Sequence, residues 1–190
     1  MNKLILCIAA LFILFTTACE KNNPTPENPS PLPNPTEIIT TAILELEPVD
    51  SSFENVAAIW KDEDGDGPLQ PVIDTIYLQD GVEYNGTIIL LDESKTPTDT
   101  ISLEVEEEAD VHQFFYSILG SLQPKITITK KDLDANQLPL GLKTTLAVAG
   151  NTNGTDQLKV ILKHYDGINK SIDPTVGDTD IEIILPVMVK

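Results

Sequence analysis

The sequence predicts an all-β fold, an antiparallel β-sandwich of about eight or nine strands with at most one short helix. Apolar and polar side chains alternate along several segments, as they do in strands that bury one face. Asp-Gly and Asn-Gly pairs and other glycine-rich turns separate these segments. Many short strands spaced by turns are typical of a sandwich.

The first and last predicted strands alternate most clearly. In 38–47 the even positions are apolar or small, while Glu45 and Glu47 face outward. In the last strand the odd positions from 181 to 189 form the apolar face, and Asp180 and Glu182 lie on the other. The predicted strands are 38–47, 55–60, 72–78, 84–91, 111–118, 125–130, 142–149, 157–162 and 180–189.

One helix is predicted near the middle of the chain. Ile101, Val105 and Ala109 recur at four-residue spacing through the acidic run 104–110. A strand with one charged face is the alternative interpretation of this run.

An internal repeat is a further hypothesis. Segment 61–66 resembles 131–136, and the same offset aligns the apolar positions of 72–78 with those of 142–148. Each half would then contain two strands, an acidic loop and two more strands, with the last strand outside the repeat. Chance similarity between β-rich segments is the alternative.

The charge of the chain restricts its partners. The formal net charge is −18 at pH 7, which disfavours binding to nucleic acid and favours cations or basic partners. Alternatively, the negative charge only keeps the protein soluble and implies no particular partner.

No G-x-S-x-G, H-E-x-x-H, phosphate-loop or dinucleotide glycine motif is present in the sequence, so we expect a protein that is not an enzyme.

Residues 1–18 have the pattern of a secretory signal. Lys3 precedes an apolar run, 4–15, that is too short to span a bilayer. Small residues at 16–18 then lead to Cys19, which is similar to the lipobox of bacterial lipoproteins. That resemblance implies cleavage before Cys19 and acylation of its thiol and amine. An ordinary signal with an incidental cysteine is the alternative.

Residues 19–36 are predicted to be a lipidated cysteine and a tether, and 37–190 a single β-sandwich domain. Six prolines, which fix φ and donate no backbone hydrogen bond, predict an extended tether. They are Pro24, Pro26, Pro29, Pro31, Pro33 and Pro35. Cys7 lies inside the predicted signal, so the mature chain would keep Cys19 alone and could form no internal disulfide.

Two acidic loops are candidate metal sites. Asp62, Asp64 and Asp66 precede Gly67 in a D-x-D-x-D-G pattern, whose carboxylates could converge on calcium. An EF-hand loop counted from Asp62 fails, because Ile73 occupies its twelfth position. The second loop carries three candidate ligands but no matching glycine. These ligands are Asp132, Asp134 and Asn136. In both loops an ion would be structural, and ordinary turns are the alternative.

The two histidines are candidate ligands of an alternative metal site. His112 and His164 each lie on an apolar strand face near a strand end. A shared transition-metal site would need both imidazoles together with a carboxylate such as Asp110. Hydrogen-bonded residues at the rim of the core are the alternative.

The chain also resembles small bacterial lipoproteins often labelled type 1 periplasmic-binding fold superfamily proteins. The resemblance is carried by 62–67, by His-Gln-Phe-Phe-Tyr at 112–116, by 132–136, and by Gly-Asp-Thr-Asp-Ile-Glu at 177–182. The label implies two α/β lobes around a small solute, whereas this length and pattern predict one β domain. We therefore expect this chain to share the lipoprotein class of these proteins but not the two-lobed fold that their label implies.

Together these features predict a lipid-anchored protein of the cell envelope, most simply the outer membrane, with its membrane face left open. The partner would be the membrane, through the anchor, together with an unidentified envelope protein or small ligand. The domain would bind or build structure without catalysis, and calcium would stabilise it. A receptor that delivers a small ligand or metal to a transporter is the alternative.

Overall fold

The structure is a computed structural model that describes residues 38–64 and 68–190. The predicted signal, Cys19, the tether, Asp66 and Gly67 lie outside these residues. The described residues form ten strands and one helix. In chain order they are β1 Thr41–Pro48, β2 Val56–Lys61, β3 Val72–Ile73, β4 Ile76–Leu78, β5 Glu83–Leu91, α1 Ile101–Glu107, β6 His112–Ile118, β7 Ile126–Lys130, β8 Lys143–Val148, β9 Gly154–His164 and β10 Asp178–Val189.

The strands form two sheets, which confirms the predicted all-β sandwich. A six-stranded sheet has the order β3-β2-β1-β5-β8-β7, and a four-stranded sheet has the order β4-β10-β9-β6. The pairs within them are antiparallel, except that β4 runs parallel to β10. The inner faces of both sheets supply the core, which includes Tyr84 and Phe114 without measurable exposure.

The predicted strand 72–78 is two strands that belong to different sheets. Asp74 lies between them and binds Ile59 of β2 twice. Its backbone N–H donates to the Ile59 carbonyl, and its carboxylate accepts from the Ile59 N–H at 3.1 Å. The chain then crosses to the four-stranded sheet, where Ile76 begins the pairing with β10. Alternation alone does not reveal this change of sheet, because both short strands are apolar.

The predicted helix is present but shorter than the acidic run. Ile101 and Val105 are its buried residues, and it ends at Glu107. No basic residue stands in its last turn, and acidic side chains there oppose the negative end of the helix dipole. This repulsion accounts for the early end of the helix before Asp110.

The two halves of the hypothetical repeat share only part of their pairing. In each half the outer strands pair with one another, β1 with β5 and β6 with β9. The inner strands also pair, β2 with β3 and β7 with β8. However, β6 and β7 lie in different sheets, whereas β1 and β2 are neighbours. The halves therefore have the same order of elements but not the same arrangement.

Gly177 immediately precedes β10 and has no room for a side chain. Its φ is +81°, and a Cβ there would lie 2.6 Å from the backbone oxygen of His164. Gly167 also has a positive φ, +69°, but open space around it. We predict that Gly167→Ala costs about 1–2 kcal/mol from backbone strain. Gly177→Ala should cost about 1–3 kcal/mol more from the clash.

Urea unfolding of both variants beside the parent protein measures this difference. Equal losses at Gly167 and Gly177 would show that the backbone near His164 is free to move away from a methyl group.

Candidate functional site

Two histidines face each other at one end of the four-stranded sheet. His112 begins β6, His164 ends β9, and the antiparallel register places them directly opposite one another. The His112 side chain is fully buried, the His164 side chain is 13% exposed, and their ring centroids lie 4.5 Å apart. The structure thus brings together the two imidazoles that the sequence analysis named as a possible pair.

A β-bulge in β10 adds Asp180 to these histidines. The register with β9 shifts between Thr179 and Ile181, which leaves Asp180 as an extra residue. Bulges re-aim side chains, and the Asp180 side chain is only 5% exposed. The prediction that Asp180 faces outward with Glu182 is therefore wrong at this residue, because strict alternation fails at a bulge.

The carboxylate of Asp180 approaches both rings. Its Oδ2 lies 3.7 Å from His112 Nε2, and its Oδ1 lies 3.9 Å from His164 Nδ1. One ligand atom from each of the three residues lies within 4.8 Å of the others. The acid beside the histidines is thus Asp180, whereas the sequence analysis suggested Asp110.

The end of α1 fixes which nitrogen of His112 is free. His112 Nδ1 lies 3.1 Å from the carbonyl oxygen of Glu108, the residue that caps α1. A carbonyl only accepts hydrogen bonds, so Nδ1 carries the hydrogen and Nε2 presents a lone pair toward Asp180. Both His112 Nε2 and Asp180 Oδ2 are buried, and neither has a hydrogen-bond partner among the described residues.

Burial sets the charges of this group. Desolvation lowers the pKa of His112 to about 4. Desolvation also raises the pKa of Asp180 to about 6, although the neighbouring His164 acts in the opposite direction. At neutral pH, His112 is therefore uncharged and Asp180 is mainly a carboxylate. Two buried acceptors then face each other with no hydrogen between them, an arrangement that a cation would stabilise.

Asp180 also lines a cleft of about 600 Å³ at this end of the sandwich. The cleft is also lined by Trp60, the only tryptophan of the chain, and by two acids of the first acidic loop, Asp62 and Asp64. Ile38 and Ile181 add apolar surface. The cleft therefore combines an aromatic ring with carboxylates.

The first acidic loop is described only in part. Asp62 Oδ1 is buried and has no hydrogen-bond partner among the described residues. Asp64 Oδ2 accepts a hydrogen bond from the Leu69 N–H at 3.1 Å. Because Asp66 and Gly67 are not described, the calcium site at this loop stays a prediction.

The second acidic loop uses its carboxylates within the protein. Asp132 accepts from the N–H groups of Gly141 and Lys143 at 2.8 and 3.1 Å. Asp134 Oδ1 accepts from the N–H groups of Asn136 and Leu138 at 2.8 and 2.9 Å. The Asp134 bonds are those of a self-capped turn, whereas the Asp132 bonds reach the chain around the start of β8. An ion at Asp132, Asp134 and Asn136 would have to compete with both.

Asp134 also forms a buried ion pair that the sequence analysis did not find. Lys170 Nζ lies 2.9 Å from Asp134 Oδ2, and the two side chains are 2% and 0% exposed. The same ammonium group donates to the Ala109 carbonyl at 2.7 Å. Lys170 lies in a loop far along the chain from Asp134, and no sequence pattern connects the two residues.

Sequence and fold comparisons add little to this geometry. No protein-family model matches the chain, and no curated protein matches it. One solved structure, "Crystal structure of the S-layer protein SbsC domains 4 and 5", aligns at 9% identity. The alignment covers 77% of this chain and 75% of that one, with a TM-score of 0.29. A likeness this small supports no inference about location or function.

In 38–64 and 68–190, no helix combines the length and the apolar character that a membrane span requires.

Proposed function

We propose that this protein is a lipid-anchored protein of the bacterial cell envelope, held at the outer membrane by Cys19, with a non-catalytic head that binds a ligand or partner. The signal pattern of 1–18, the cysteine that follows it and the proline-rich segment support the anchor. The absence of common catalytic motifs from the sequence supports a head that binds without catalysis.

The observation that carries the binding role is the cleft at the end of the sandwich. Asp62, in the loop after β2, and Asp180, in β10, both line it, and each has a buried oxygen with no hydrogen-bond partner among the described residues. Buried polar atoms in folded proteins are nearly always hydrogen-bonded. Two such oxygens beside Trp60 therefore favour a ligand with cationic or donor groups.

A second candidate function is a receptor that delivers a small ligand or metal to a transporter. The observation that favours it is the contact of Asp180 with both histidines on one side and with the cleft on the other. Exchange measurements separate the two functions, because a receptor must release its ligand on the timescale of transport. A ligand that exchanges only when the protein unfolds would instead be structural.

The anchor is tested by replacing the acylated cysteine. We predict that Cys19→Ser prevents incorporation of a palmitate analogue and moves the protein from the membrane fraction to the soluble fraction. Cys7→Ser is the matched control, since Cys7 lies within the predicted signal and its loss should leave labelling unchanged. The anchor would be refuted if neither the parent nor the Cys7→Ser protein incorporated the palmitate analogue.

Calcium at the first acidic loop is tested by thermal unfolding of the full chain. We predict a higher melting temperature with calcium than with a chelator, because the ion would neutralise Asp62, Asp64 and Asp66. Asp62→Asn should reduce this difference. Asp132→Asn tests the second loop in the same way. Identical melting curves with calcium and with chelator would contradict the prediction that calcium stabilises the domain.

A further inference from the structure

We propose that His112 Nε2, His164 Nδ1 and the Asp180 carboxylate bind a divalent transition-metal ion of the zinc type. The fourth coordination position would open toward the cleft beside Trp60. This inference concerns the chemistry of the head and does not depend on whether Cys19 is acylated. It also differs from the calcium proposal, which involves other residues.

The three side chains are close enough to surround one tetrahedral ion after small movements. Zinc–nitrogen and zinc–oxygen bonds of about 2.0–2.2 Å place neighbouring ligand atoms about 3.3 Å apart. The separations are 3.7 Å between Asp180 Oδ2 and His112 Nε2 and 3.9 Å between Asp180 Oδ1 and His164 Nδ1. One ligand atom from each of the three residues lies within 4.8 Å of the other two. Contractions of up to about 1.5 Å would complete the site, and rotations of the side chains can supply them.

The donor atoms are available for a metal. His112 Nε2 has no hydrogen-bond partner among the described residues, and neither does Asp180 Oδ2. Both belong to side chains at least nine-tenths buried, where an unpartnered polar atom is costly. A cation placed between them would satisfy both atoms at once.

The surroundings of His112 resemble the support that metal-binding histidines require. Such histidines usually donate their other ring N–H to a carbonyl or carboxylate, which fixes the tautomer and the ring orientation. Here the Glu108 carbonyl at the end of α1 accepts from Nδ1 at 3.1 Å. The helix end thus holds Nε2 ready to bind.

The donor set determines the class of metal. Two imidazoles with one carboxylate suit zinc and its neighbours, whereas calcium takes six to eight oxygens. Three protein ligands also leave one position of a tetrahedral ion free. Asp180 lines the cleft, so water or an anionic group of a ligand could reach that position.

The test is titration of the full chain with zinc, using protein purified in detergent without a polyhistidine tag and with its thiols alkylated. The chain has only two histidines, so nitrogen NMR of the imidazoles reports on this site alone. We expect one equivalent of zinc to bind and to shift the resonances of both rings. Equimolar calcium should leave both rings unchanged.

Two substitutions assign the ligands. His164→Asn and Asp180→Asn should each weaken zinc binding by more than about 100-fold, above the losses typical of changes outside the ligand shell. Asp110→Asn is the matched control, because it removes a nearby exposed carboxylate that lies outside the proposed ligand set. It should keep the parent affinity.

Circular dichroism establishes that each variant is folded. If His164→Asn does not fold, imidazole NMR of the parent protein still shows whether zinc binds at the two histidines. Rings that remain unshifted at saturating zinc would overturn the proposal. Stoichiometric binding that survives both His164→Asn and Asp180→Asn would also overturn it.

Discussion

Replacing Lys170 with methionine is expected to lower the free energy of unfolding by about 3 kcal/mol, because it leaves the buried Asp134 carboxylate without its cation. In the parent, Asp134 accepts two backbone N–H groups through one oxygen and the Lys170 ammonium through the other. Methionine keeps the length of the lysine stem but can donate no hydrogen bond, so both Asp134 Oδ2 and the Ala109 carbonyl lose a donor.

The pH dependence of this loss follows from the pKa of Asp134. Burial acts to raise that pKa, but hydrogen bonds from Leu138 and Lys170 outweigh it and the net shift is downward. A carboxyl group with a lowered pKa contributes stability above its ordinary value of 3.8 and loses it as the pH falls further. The deficit of Lys170→Met should therefore be largest near neutrality and shrink below about pH 4.

Denaturant unfolding at several pH values measures this effect. Lys143→Met is the matched control, because Lys143 pairs with Glu106 at 3.4 Å on the surface, where both side chains are more than half exposed. Exposed pairs contribute little, so this variant should be nearly as stable as the parent. A similarly small loss for Lys170→Met would show that the buried pair is not important for stability.

Replacing Asp180 with asparagine is expected to stabilise the metal-free protein while strongly weakening zinc binding. The amide removes a buried charge, and its Nδ2 can donate to the unpartnered His112 Nε2. Relieving buried unsatisfied atoms is worth about 1–3 kcal/mol, so we expect a gain of about 2 kcal/mol. Functional sites are commonly less stable than they could be.

Asp178→Asn is the control for this substitution. It removes the same charge two residues earlier on β10, from an exposed side chain whose repulsion of Asp180 is a smaller influence than burial. It should therefore change stability and zinc binding much less than Asp180→Asn does. Chelator-treated samples must be used for the unfolding curves, because a bound metal would stabilise the parent protein and mask the gain. A loss of stability in metal-free Asp180→Asn would show that the carboxylate has partners of its own.

Much of the fold could be predicted from the sequence, because side-chain alternation directly records which strand face is buried. The predicted segment 84–91 corresponds to β5 at Glu83–Leu91, and 111–118 corresponds to β6 at His112–Ile118. Sheet membership could not be predicted in this way. Short apolar strands such as β3 and β4 look alike in sequence whichever sheet they join.

The candidate site was only half predictable for a related reason. The sequence predicts His112 and His164 as a pair because each stands in phase with the apolar residues of its strand. Alternation places Asp180 on the wrong face, because the phase of β10 changes at the bulge. The run Gly-Asp-Thr-Asp at 177–180, polar and led by a glycine, is the signal that could have suggested an irregular strand start.

The central claim is that the bulge at Asp180 completes a cation site at the cleft end of the sandwich. The most direct measurement is anomalous diffraction at the zinc edge from crystals of the protein grown with zinc. We predict one peak about 2.0–2.2 Å from His112 Nε2, His164 Nδ1 and an Asp180 oxygen. A peak at the first acidic loop instead, or no peak beside three well-ordered side chains, would contradict the claim.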